Sequence, residues 1–179
     1  MQYDIRAQDR VVEHGEGFLM WLLWTQRQAK PHISVSTYSG TPWAVSLEWE
    51  VNFSDKIVLS DENGTVAVQE DGAWSAEETV KALEVGKSID SATFELNRLN
   101  HDMDMTWSFT MSADANLSSV ICPVVLGDEE DDKAMELIYL LDQVEQVVSG
   151  LFCVYLADLN ADPGLKGRVI TALTKGGAS

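Results

Sequence analysis

Trp43-Ala44-Val45-Ser46-Leu47-Glu48-Trp49-Glu50-Val51-Asn52-Phe53 alternates large apolar residues with small or polar ones without a break. In an extended chain successive side chains point to opposite faces. Trp43, Val45, Leu47, Trp49, Val51 and Phe53 therefore share one face, and Ala44, Ser46, Glu48, Glu50 and Asn52 the other. A strand that is greasy on one side and wet on the other belongs in an antiparallel sheet, because a parallel sheet is covered on both faces. Upstream, Ile33, Val35 and Thr37 alternate with Ser and His, and Gly40-Thr41-Pro42 makes the turn between the two segments.

Working outward, Lys56 to Ser60 and Thr65 to Gln69 flank Asp61-Glu62-Asn63-Gly64, where Asn-Gly supplies the positive φ of a tight hairpin. Met103, Met105, Trp107, Phe109 and Met111 alternate with polar residues and predict a further strand. Asp114-Ala115-Asn116 turns it into Leu117–Leu126, where Pro123 points to an edge position or a bulge. The helical segments have a different period. From about Gln8 to Lys30, Val11, Val12, Phe18, Leu19, Leu22 and Leu23 recur at helical spacing until Pro31, although Gly15 and Gly17 interrupt the first half. Ser75-Ala76-Glu77-Glu78 reads as a capping box opening a helix that carries Val80 and Leu83 and stops at Gly86. A second helical stretch, Asp90 to Asn100, places Ala92, Leu96 and Leu99 on one stripe. After Asp128-Glu129-Glu130-Asp131-Asp132 a long helix puts Met135, Ile138, Leu141, Val144 and Val148 on one side, and the acids suit the positive end of its dipole. Gly150 interrupts it, Leu151 to Leu159 fits either a helix or a strand, and Asp162-Pro163 starts a last short helix.

This order predicts an α+β fold. An antiparallel sheet of five to six strands packs against an N-terminal helix, a central helical segment and a long C-terminal helix. One domain spans residues 1–179, with 151–179 as a C-terminal extension.

The charge narrows the partners. With 12 Lys and Arg against 29 Asp and Glu, the formal net charge is −17, so nucleic acid and anionic membrane, both captured by clustered cations, are disfavoured. A chain this acidic meets basic surfaces quickly, through an attraction that salt weakens. The N-terminus lacks the basic and apolar regions of a signal peptide, and the strongly apolar run Phe18–Trp24 is too short to span a bilayer, so the expected compartment is the cytoplasm.

Catalytic and ligand-binding motifs do not emerge. His14, His32 and His101 are scattered, and the pair Asp102 and Asp104 beside His101 reads as the wet edge of a strand before it reads as a metal site. Cys122 and Cys153 lie far apart in apolar runs and read as buried thiols. No nucleophile-elbow, phosphate-loop or dinucleotide glycine pattern occurs, so neither catalytic residues nor a cofactor or metal is assigned. Two features remain. Trp21 and Trp24 lie on a helix that is apolar on more than one side, and such a helix has a second surface for a subunit or a client. The run Asp128, Glu129, Glu130, Asp131 and Asp132 is either a solvated helix start or a capture site for a basic partner.

Leu96-Asn97-Arg98-Leu99-Asn100, the strand Met103–Met111, the turn Asp114-Ala115-Asn116, the strand Leu117–Leu126 and the acid-led helix at 128–149 together resemble the YbjN family and the fold of type III secretion chaperones. The resemblance covers the second half of the chain and extends to the first half only as architecture. The hairpin at Asn63-Gly64 and the tail beyond Gly150 depart from the pattern. It implies a noncatalytic dimer that holds an extended partner segment across its sheet and helices. The expectation is a chaperone-like or adaptor-like protein-binding module. An immunity or antagonist protein plugging a basic toxin or nuclease site is the alternative, and an enzyme of unknown type comes third.

Overall fold

The alternation around Trp49 runs further than the sequence reading placed it. In the computed structural model, which describes residues 17–28, 33–38, 46–99 and 105–175, Ser46–Asp61 is one strand of 16 residues, β2. Lys56–Ser60 is its second half rather than a separate strand. The first half of β2 pairs with β1 (Ile33–Tyr38) and the second half with β3 (Gly64–Gln69). Its other edge pairs along both halves with β4 (Ser88–Arg98). Then come β5 (Thr106–Ser112) and β6 (Leu117–Ile121), so the sheet has six strands in the order β1-β2-β4-β5-β6, with β3 beside β2 and every pairing antiparallel. Gln26, on a helix at 17–27 (α1), accepts the Phe53 N–H at 3.0 Å where β2 changes partners, satisfying a buried donor.

The stretch expected to form a helix at 90–100 is β4. A helical stripe of Ala92, Leu96 and Leu99 would leave Phe94 facing solvent. In a strand Ala92, Phe94 and Leu96 share the buried face, and Phe94 stacks between its cross-strand neighbours Phe53 and Phe109 at 4.5 and 5.6 Å. An extra residue in β4, Asp90, reverses parity so that Ile89 is also buried. A second bulge in β6, with Ser119 at φ 52°, lets Leu117 and Val120 both lean on the core. The opposite face of the sheet is polar, carrying Glu48, Glu50, Glu95, Asn97 and Thr110.

The remaining helices are α2 (Glu77–Glu84), α3 (Glu130–Ala161) and α4 (Leu165–Thr174). The Ser75 hydroxyl caps nothing: it donates to the Gly72 carbonyl and closes a 3-10 turn at Ala73–Ser75, so the capping box does not form. Gly150 does not break α3 either. Its missing Cβ makes room for Val35, whose Cγ2 would lie 3.3 Å from such an atom, and β1 crosses the helix there. α1 is buried almost all round, from Phe18 to Leu23, because Phe18 and Trp21 press on Phe152 and Tyr155 of α3 at centroid distances of 5.1 to 5.5 Å. The second apolar side of α1 is thus covered from within the chain. By length and composition α3 could cross a membrane, and its middle stretch is core: Leu140, Val144, Val147, Val148, Leu151, Phe152 and Tyr155 are buried.

Candidate functional site

At about 1.5 Å per residue, the 32 residues of α3 span roughly 48 Å. Burial begins at Leu140, whose carbonyl accepts the Trp107 indole N–H at 3.1 Å. The turns before it carry no covering layer among the described residues. Met135, Ile138 and Tyr139 are 68%, 62% and 47% exposed, and Leu137 and Leu141 are also exposed. The expected stripe on α3 therefore divides: Val144 and Val148 face the core, while Met135, Ile138 and Leu141 face solvent.

The segment after β6 joins this surface. The N–H groups of Leu126 and Gly127 both donate to Glu136 Oε2 at 3.0 Å, folding the segment back against the first turns of α3. Val124 and Leu126 remain exposed beside it. A Cβ on Gly127 would lie 3.0 Å from the Lys133 backbone nitrogen, tighter than side chains ordinarily pack, so this close return favours glycine. Asp128, Glu129, Glu130, Asp131 and Asp132 are all exposed at the tip. From Ile121 to Asp142 the chain has seven acids and one lysine. The surface combines flexible, polarizable methionine and aliphatic side chains with a dense negative rim.

The tryptophans do not join it. Trp21 is 3% exposed and its indole N–H donates to Asp158 Oδ2 at 3.1 Å, so the fold itself uses this side chain. Trp24 is half-buried and lines a shallow groove with Gly164, Gly167, Arg168 and Thr171. The structure thus brings the acidic run together with apolar side chains that the sequence reading placed on one side of the helix, and it leaves Trp21 and Trp24 at the other end of α3. Trp43 lies outside the described residues.

Concave space lies elsewhere. A cavity of about 190 Å³ lies between α1, α3, α4 and the turn at Gly86-Lys87-Ser88, lined by Met20, Trp21, Tyr155, Leu165 and Val169, with Lys87 and Lys166 beside them. Among the described residues no acid, histidine or cysteine lines it. Lys87 is already engaged, donating to Asp61 Oδ1 at 2.5 Å and to the Gly64 carbonyl at 2.7 Å, and it holds the Asp61 carboxyl below its usual range. Among the described residues no three His, Cys, Asp or Glu side chains gather as metal ligands. His14, His32, His101, Asp102 and Asp104 lie outside the described residues. The cysteines are less buried than expected: Cys122 is half-buried, with its thiol pKa pushed up by desolvation, and Cys153 is exposed on α3. The apolar run around Cys153 is helical, so only one side of it meets the core.

The chain matches no known protein-family model, and no curated protein matches it.

Proposed function

We propose that this chain is a noncatalytic, acidic protein-binding module, chaperone-like or adaptor-like, that holds a segment of a partner protein on the projecting end of α3. The observation that carries the reading is the exposed apolar side of that end, with Met135 and Ile138 more than half exposed, in a chain of net charge −17. Apolar surface concentrated in one place and rimmed by charge marks an interaction site. The resemblance to secretion chaperones points the same way. The exposed acidic tip also supports the second reading, an antagonist that plugs a basic active site.

Affinity capture from the native lysate at low and high salt, with retained proteins identified by mass spectrometry, tests both readings. A binding module retains one stoichiometric partner. An electrostatic plug loses most of it as ionic strength rises, whereas a client held on the apolar surface loses less. Empty beads at both concentrations would remove the protein-binding reading.

A further inference from the structure

The surface at the end of α3 has properties that select its occupant. Its backbone is already used, because the N–H and C=O groups of residues 135–141 bond within the helix. A partner can therefore gain only side-chain contacts there, unlike one that adds a strand to an open sheet edge. A segment that satisfies its own backbone while presenting a continuous apolar stripe is an amphipathic helix. Met135, Ile138 and Leu141 recur at three-residue intervals, and Tyr139 lies one turn after Met135. This ridge is suited to helix-on-helix packing.

Charge selects further. The ridge is flanked by Asp128, Glu129, Glu130, Asp131 and Asp132, with Glu136 and Asp142 on the same stretch and Lys133 as its lone cation. A second copy of the chain would bring an identical rim and another −17 charges, and an anionic membrane would be repelled. A polar face rich in Lys or Arg is the complement. We infer that the exposed ridge Met135–Leu141, with Val124 and Leu126 beside it, docks a basic amphipathic helix of another protein. This rests on the protein-binding reading and names the partner's chemistry.

The test uses the full chain and three labelled 18-residue peptides followed by fluorescence anisotropy. One is a Leu/Lys amphipathic helix, one is a scramble of it with the same composition, and one carries Glu in place of every Lys. The amphipathic basic peptide binds, and the other two bind at least tenfold more weakly. Ile138→Glu separates the two forces, because it adds negative charge while removing apolar surface. It weakens binding at least tenfold if the ridge is the dock, and strengthens it if charge alone acts. Neutralising residues 128–132 to Asn and Gln weakens binding and flattens its salt dependence. Ile170→Glu, on the exposed side of α4, changes nothing. All the altered side chains are exposed, so an unchanged melting temperature verifies that the variants fold.

Equal binding of the scramble, or full affinity in Ile138→Glu, overturns the inference. So does a dimer of the chain that Ile138→Glu dissolves, or capture by phosphatidylcholine vesicles that depends on Ile138. If Ile138→Glu still retains the stoichiometric lysate partner, the inference fails and the protein-binding reading stands. If lysate and peptides both yield nothing, both fail.

Discussion

Tyr155 shows how one side chain ties helices together and what that costs in chemistry. It is 1% exposed, its ring meets Phe18, Trp21 and Phe152, and no side chain fits at Gly17 because the Tyr155 hydroxyl occupies that space. Burial disfavours the phenolate and pushes the Tyr155 pKa up to about 12. In the unfolded chain the phenol ionises near pH ~10. The neutral phenol's contribution to stability is therefore whole below that pH, and it is lost as pH rises through the folded value of about 12. Stability measured by urea unfolding in steps across this alkaline range falls in the wild type. In Tyr155→Phe, which keeps the ring and removes the titrating group, that alkaline loss is reduced.

At the scale of elements, the centre of the sheet is the row Phe53, Phe94 and Phe109 across β2, β4 and β5. Phe94 is fully buried between the other two. Phe94→Ala is expected to cost about 3–5 kcal/mol by combining lost transfer energy with an unfilled cavity, read as a lower urea midpoint with an unchanged slope. This row also explains which elements were legible. The alternation at 47–53 and 107–111 has one interpretation, and both segments are strands with the expected residues buried. The segment 90–100 has two, because Ala92 and Leu96 fit a helix as well as a strand. What decides it is Phe94, whose partners lie on β2 and β5 and are invisible locally. Gly150 misled in the same way, since local propensity counts the glycine against the helix while its use is a close approach to Val35. In the β2–β3 hairpin, Glu62 and Asn63 occupy the turn, and among its residues the positive φ falls on Gly64.

At the scale of the whole molecule, α1 is covered by the 152–158 stretch of α3, which gives the two tryptophans different fates. Trp21→Ser removes a buried indole and leaves Asp158 without its donor, so the stability loss is expected to be on the order of 3–5 kcal/mol. Trp24→Ser, at a half-buried position, lowers the melting temperature by a small fraction of that shift. Thermal scans of the two single variants check this, and equal shifts would contradict the difference in burial. Of the candidate site, the acidic run was legible because charge density is a local property. The exposed ridge was not, because Met135, Ile138 and Leu141 continue the same stripe as Val144 and Val148. Only the length of α3 relative to the layer beneath it determines where cover ends. That same layering has a consequence during synthesis. The hydrogen bond from Trp21 to Asp158 joins positions 137 residues apart. At roughly 5–20 residues per second on a ribosome, the first helix waits on the order of ten seconds for the segment that covers it. Through that interval Phe18, Trp21 and Leu22 are the natural grip for a nascent-chain chaperone, and a slow translator would place the greatest demand on it.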